Sequence, residues 1–239
     1  MTKPVWIVIP AAGVGKRMQS ERPKQYLKIH QKTVIEHTMD CFLYHPDVMG
    51  IIVVLHRDDP YWKTVSNNLP LNIPVYTVEG GAERSDSVLQ GLDYLSMVEK
   101  VDAEHWVMVH DAARPCLTQQ DLNKLLELTT RRNAVGGILA TPVKDTMKRA
   151  NKNSHTILKT ENRDDLWHAL TPQLFRLGDL QQALHQGLDS QANITDEASA
   201  MELAGHSPEL VEGSSHNIKI TQPDDIGLAT WLLDKTDAV

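Results

Sequence analysis

The segment that most limits what this chain can become is VWIVIPAAGVGKRMQSERPK, residues 5–24. An apolar, β-branched run ends at Pro10, two alanines and two glycines follow, and Lys16, Arg17, Arg22 and Lys24 then crowd together. A continuous apolar run of this length reads as a strand buried on both faces, an environment supplied by a mostly parallel sheet with helices above and below it. Ala11, Ala12, Gly13 and Gly15 carry no bulk, so the backbone there can approach a ligand closely and aim its N–H groups at it. With four cations alongside, the loop reads as an anion site whose natural guest is rich in phosphate. Spacing excludes two common phosphate loops. A Walker A loop needs glycine where Pro10 stands and a hydroxyl residue where Arg17 stands, and a dinucleotide fingerprint beginning at Gly13 needs a small residue where Met18 stands.

The rest of the chain repeats the strand theme. GIIVVL (50–55), residues 75–78, residues 106–109 and AVGGILA (134–140) are further short apolar runs. Between them, residues 33–44, 84–97 and 119–131 show helical spacing, while 56–74 is polar and proline-bearing, with room for about a helical turn. The order predicts an α/β fold with a mostly parallel, Rossmann-like sheet. Open sheets of this kind bind ligands at the carboxyl ends of their strands. That places Gly80-Gly81 with Ser85 and Ser87, and HDAARP at 110–115, on candidate walls of the same crevice as the first loop. Asp111, at a strand end beside small residues, is placed to meet a hydrated or phosphate-bound Mg²⁺.

After Ala140 the pattern breaks. Residues 141–162 are polar and read as a hairpin arm inserted in a single domain spanning 1–239. A two-stranded arm is marginal alone, so it is expected to pack on a second copy and form a homodimer. Residues 163–170 read as a return to the body, 177–185 and 198–204 as helices, 210–213 and 218–220 as short strands, and the segment after Thr221 as a last helix with Pro223 in its first turn.

The formal net charge of −7 makes the basic loop a local feature and argues against a nucleic-acid partner. The longest apolar run is about half a membrane span. The two cysteines, Cys41 and Cys116, have neither disulfide-framework nor zinc spacing. The chain is expected to be soluble and cytoplasmic, with no membrane partner.

Seven blocks stand in one order: PAAGVGKRM with RPKQY, GG-x-E-R-x-DSV, HDAARP, PVKDTMKR, ALTPQ, ITDEASA and VEGSSHNIKIT. Together they resemble the 2-C-methyl-D-erythritol 4-phosphate cytidylyltransferases of the non-mevalonate isoprenoid pathway over essentially the whole chain. The resemblance implies a fold of the nucleotide-diphospho-sugar transferase type, an arm-exchanged homodimer, and Mg²⁺ or another divalent cation as cofactor. It implies attack by the phosphate oxygen of 2-C-methyl-D-erythritol 4-phosphate on the α-phosphorus of CTP, with release of pyrophosphate. By match to the family, Arg17 and Lys24 act on the triphosphate and the transition state. Ala11, Ala12, Gly81 and Ser87 contact cytosine and ribose. Asp111 and Arg114 stand near ribose, metal and the second substrate. Arg163 and Lys219 position the methylerythritol phosphate, with Thr146, Thr171 and Thr195 as neighbouring hydroxyl donors and part of the pocket supplied by the other subunit. The chain departs from the family at Ala82, where Asp is frequent, which leaves base selectivity to the backbone. A related CTP-dependent transferase acting on ribitol or glycerol phosphate shares the same loop and metal logic.

Overall fold

The structure is a computed structural model that describes residues 1–13, 22–70 and 72–236. Its strands and helices are, in chain order, β1 (Val5–Pro10), β2 (Lys28–Ile29), β3 (Lys32–Thr33), α1 (Val34–Leu43), β4 (Val48–Leu55), α2 (Trp62–Ser66), β5 (Val75–Glu79), α3 (Arg84–Met97), β6 (Trp106–Val109), α4 (Gln119–Leu126), β7 (Gly136–Pro142), β8 (Lys148–Ala150), β9 (Ile157–Thr160), β10 (Trp167–Arg176), α5 (Leu177–Asp189), α6 (Glu197–Leu203), β11 (Glu209–Glu212) and α7 (Asp224–Thr236).

Seven strands form one sheet in the order β11-β7-β10-β6-β1-β4-β5. β1 pairs in parallel with β4 and β6, and only β10 runs against its neighbours. The period-two alternation of a strand explains the layers. Along β1, Val5, Ile7 and Ile9 pack with Ile35, Met39 and Phe42 of α1 and Leu122 and Leu125 of α4. Trp6 and Val8 point the other way, to Val88 and Leu92 of α3, Leu180 and Leu184 of α5 and Met201 of α6. Helix α1 starts where the sequence says it should, because Thr33 and Glu36 form a capping box: Thr33 N–H donates to Glu36 Oε2 at 2.7 Å and Glu36 N–H to Thr33 Oγ1 at 3.4 Å. A smaller cluster joins Ala229 and Leu232 of α7 to Ile29, Val34 and Ile220.

The sequence reading differs from the structure in several places. The helix expected over 119–131 ends at Leu126 and tightens into a 3-10 turn at Glu127–Thr130. Residues 163–170 are not merely a return path: β10 begins at Trp167 and runs ten residues between β6 and β7. Its exposed start and the proline at 172 disguise it, since proline removes a ladder donor and argues against a central strand. The sheet accommodates that proline in a bulge, where the β7 register shifts between Ala169 and Gln173 and the Thr171-Pro172 peptide is cis. Residues 218–220 are not a strand, and Ile220 N–H instead donates to the Ala113 carbonyl at 2.9 Å. The small β2-β3 hairpin has no counterpart in the reading. Within residues 141–162, β8 and β9 make a separate two-stranded sheet whose residues are all exposed.

Candidate active site

A cleft of about 260 Å³ opens at the carboxyl ends of β1, β5 and β6, on either side of the point where the chain, having built outward through β4 and β5, crosses back to place β6 on the other flank of β1. One wall is the loop after β1, Ala11 to Gly13, anchored by an Ala11 N–H donated to the Val54 carbonyl at 2.7 Å. The facing wall is the turn from β5 into α3. Here small residues are required by close packing: a Cβ on Gly80 would lie 2.7 Å from Ala12 Cβ and 2.8 Å from Ser87 Oγ, and one on Gly81 would lie 2.3 Å from Asp86 Cβ. The Gly81 N–H donates to Ser87 Oγ at 3.2 Å, and the Ser87 hydroxyl donates to the Glu83 carbonyl at 3.0 Å, so Ser87 braces the turn it faces.

The floor is electrostatic. Asp111, at the end of β6, has its side chain 9% exposed and meets three cations: Arg84 Nε at 3.2 Å, Arg114 Nε at 3.3 Å and Lys219 Nζ at 2.9 Å. Burial alone would raise its pKa, but the charges of Arg84, Lys219 and Arg114 outweigh that and hold the carboxyl well below the usual range. Arg84 is itself held by Glu197, at the start of α6, through Nη1–Oε1 at 2.6 Å and Nη2–Oε2 at 3.1 Å. That bidentate pair fixes the guanidinium plane as well as its charge. Among these five groups three are cations and two are anions, so one positive charge is uncompensated. Lys219, 37% exposed, is the member that presents it to the cleft.

Beneath Asp111 lies a neutral relay. His110 is fully buried, and burial lowers its pKa to about 4, so the imidazole is uncharged. Its Nε2 faces the Arg114 carbonyl at 3.0 Å and so carries the proton. Its Nδ1 accepts from the Thr171 hydroxyl at 3.0 Å, whose oxygen accepts the Asp111 N–H at 3.1 Å. Asn217 closes the layer, its side-chain Nδ2 donating to the Thr171 carbonyl at 2.7 Å and its backbone carbonyl accepting from Arg114 Nη1 at 2.7 Å.

The residues singled out from the sequence therefore separate by position. Ala11, Ala12, Gly13, Lys24, Gly81, Ser87, Asp111 and Lys219 line the one cleft. Arg114 and Thr171 are buried behind it and hold Asp111. Thr195 lines a neighbouring hollow that shares Glu83 and Arg84 with the cleft. Thr146 is exposed on the arm, and Arg163, also exposed, donates from Nη1 to the Lys144 carbonyl; neither lines this chain's cleft among the described residues. Gly15 and Arg17 lie outside the described residues. Arg84 falls in the stretch expected to wall the crevice but its carboxylate partners are not predicted by the sequence, and Glu197, Gln25 and Asn217 are not expected at the site. The signal was present, since each sits inside one of the seven blocks, but no local spacing ties Arg84 to a carboxylate 113 positions away.

Among the described residues no group of three or more His, Cys, Asp or Glu side chains could hold a metal. Asp111 offers a single carboxylate whose Oδ1 already meets Arg84 and whose Oδ2 meets Arg114 and Lys219, so a divalent cation there would have to be held chiefly by phosphates and water.

Residues 5–235 match the family model for 2-C-methyl-D-erythritol 4-phosphate cytidylyltransferase. The enzyme of that name from Alteromonas mediterranea is 51% identical over 98% of this chain and 94% of its own length, and that from Vibrio parahaemolyticus is 50% identical over 95% and 94%. The crystal structure of the Francisella tularensis 2-C-methyl-D-erythritol 4-phosphate cytidylyltransferase superposes with a TM-score of 0.80 at 36% identity, covering 96% of this chain and 100% of that one. A structure of 4-diphosphocytidyl-2C-methyl-D-erythritol synthase superposes with a TM-score of 0.82 at 39% identity, covering 97% and 100%. With this agreement along its whole length, in sequence and in fold, the chain belongs to the 2-C-methyl-D-erythritol 4-phosphate cytidylyltransferase family.

Proposed function

We propose that this protein transfers CMP from CTP to 2-C-methyl-D-erythritol 4-phosphate, giving 4-diphosphocytidyl-2-C-methyl-D-erythritol and pyrophosphate. The observation that carries the reading is the convergence of Lys24 and Lys219, from opposite ends of the chain, on one cleft walled by small residues. Two polyanions repel each other, and fixed cations are what bring them into line. Lys24 and Arg17 serve the triphosphate and the charge redistributed at the α-phosphorus. Lys219 and Arg163, with Thr146 and Thr195, place the attacking phosphate, and Thr171 supports them from behind the cleft through Asp111. No general base is required, because a phosphate monoester is already ionised at neutral pH. Arg114 acts through Asp111 by holding its carboxylate, while Thr171, itself set by His110, accepts the Asp111 backbone N–H. Backbone groups of Ala11, Ala12 and Gly81, with Ser87, receive the nucleoside, and Ala82 supplies no side-chain polar contact to the base, so some turnover of UTP is expected.

Asp111 is the residue that would hold Mg²⁺ together with the phosphates. Bound there, the ion neutralises phosphate charge and orients the leaving group.

The functional unit is a homodimer. Ile157 and Leu158 on β9 are 65% and 60% exposed, and Met147, Leu166 and Trp167 at the base of the arm are also in water, an apolar surface that a second copy would cover. Such docking brings Arg163 and Thr146 to a neighbouring cleft. Both cysteines are free and buried, which supports a reducing, cytoplasmic setting. Among the described residues no helix is long and apolar enough to cross a membrane.

Pyrophosphate release from CTP and Mg²⁺ on addition of 2-C-methyl-D-erythritol 4-phosphate is the expected result. Turnover with ribitol or glycerol phosphate in its place, and none with methylerythritol phosphate, would move the protein to the related CTP-dependent transferases.

A further inference from the structure

The turn Lys24–Tyr26 sends three successive side chains to three different parts of the molecule. Lys24 Nζ donates to the Ile220 carbonyl at 2.9 Å, beside Lys219. The Tyr26 hydroxyl donates to Asp59 at 2.8 Å, and its ring packs on Tyr61 with centroids 5.1 Å apart. Gln25, between them, is 4% exposed and reaches the loop after β1: its Nε2 lies 2.7 Å from the Ala11 carbonyl oxygen and 3.2 Å from that of Gly13.

Two carbonyl oxygens on one side-chain atom define the chemistry of that atom. Both are acceptors, so the atom must give two protons, and an uncharged primary amide nitrogen does so in a plane. A carboxylate in the same place has only lone pairs to offer. Drawing the Ala11 carbonyl to Gln25 also turns the Ala12 N–H to the opposite side, because C=O and N–H point in opposite directions across a trans peptide. The conformation of the small-residue loop is thus set by a side chain that follows it in sequence, and its residues have no bulk of their own with which to hold a shape.

We infer that Gln25 is a positioning residue for the nucleotide, fixing the backbone of Ala11 to Gly13 in the form that receives CTP. The inference rests on the proposed nucleotide role of that loop. It assigns Gln25 an effect on one substrate: the loop lines the nucleotide wall, whereas Lys219 and the arm residues serve the other phosphate.

The experiment compares the full-length parent with Gln25→Glu and Gln25→Met, measuring KM for CTP and for 2-C-methyl-D-erythritol 4-phosphate with Mg²⁺ present, CTP affinity by calorimetry, and thermal melting. Gln25→Glu should raise the KM and the Kd for CTP about tenfold or more, and Gln25→Met, which leaves the carbonyls unserved without opposing them, by less. KM for the methylerythritol phosphate should stay near the parent value in both. If Gln25→Glu does not fold, Gln25→Met alone decides. CTP constants within about twofold of the parent, or both KM values rising together, would overturn the assignment. An inactive parent defeats the functional reading instead, whereas an active parent with indifferent variants defeats only the role of Gln25.

Discussion

Arginines meet carboxylates both beneath the cleft and on the hairpin, but in the first place the carboxylates are buried and in the second the arginine stands in water. Glu197 is 1% exposed and Asp111 9% exposed against Arg84 and Arg114, whereas Arg149, which meets Glu161 across the hairpin, is 63% exposed. A buried charge has lost its water and depends on its partners, so removing one partner is felt strongly; an exposed pair exchanges its partner for solvent at little cost. The charged floor of the cleft is therefore completed within one chain, while the hairpin carries charged residues and apolar side chains that stand in water.

The largest effect should come from the cations proposed to act on the triphosphate. Arg17→Ala is expected to lower kcat by about 10² to 10³, roughly 2.7–4 kcal/mol of barrier, by analogy with loss of one preorganised oxyanion donor. Single-turnover measurement at saturating CTP isolates that step. A kcat within a few fold of the parent would remove Arg17 from the transition state.

Next in size is the charge cluster. Asp111→Asn leaves Arg114 and Lys219 facing a neutral amide, and Arg84 keeps only Glu197. A loss of about 3 kcal/mol of stability is expected from stranding a buried charge, read by urea denaturation with its slope unchanged. If the variant proved as stable as the parent, the floor of the cleft would be no more committed than the arm, and the contrast between the two regions would collapse.

How much of this was legible in the sequence follows the same division. β1, β4, β6 and α3 could be read directly, because a strand buried on both faces must be apolar throughout and a helix must carry its stripe and cap. Ala11, Gly81, Asp111 and Lys219 could be placed at strand ends and loops by the same logic joined to family resemblance. β10 could not, because what makes it a strand is its two neighbours, and the proline at 172 is tolerated only by a bulge that pairing creates. Arg84 with Glu197, and Gln25 with the Ala11 and Gly13 carbonyls, were invisible for a related reason: each contact satisfies a buried polar group, and the need for it arises only after the chain has folded.

A subtler test asks whether the arm completes a neighbouring site. Lys219→Ala should raise KM for the methylerythritol phosphate more than KM for CTP, and Arg163→Ala should do the same. When the two variants are mixed and allowed to exchange subunits, each heterodimer contains one cleft with both residues intact and one with neither. Activity should return to about a quarter of the parent value. No recovery, with exchange verified by mass, would place Arg163 and Lys219 in the same subunit's site and return the arm to a purely structural role.

The smallest effect expected is at Arg149. It meets Glu161, as does Lys159 at 2.9 Å, so Glu161 keeps a partner when either cation is removed. The two cations hold its carboxyl below the ordinary range, but all three side chains are hydrated, and salt screens what attraction remains. Arg149→Ala should therefore leave the melting temperature unchanged at low and at high salt, and sedimentation should still show the proposed dimer. A salt-sensitive drop in melting temperature, or dissociation to monomer, would mean that this pair is covered when two copies meet. The arm would then hold a desolvated charge network of the same kind as the cleft, and the distinction between a region finished by one chain and a region finished by two would have to be drawn at the dimer interface.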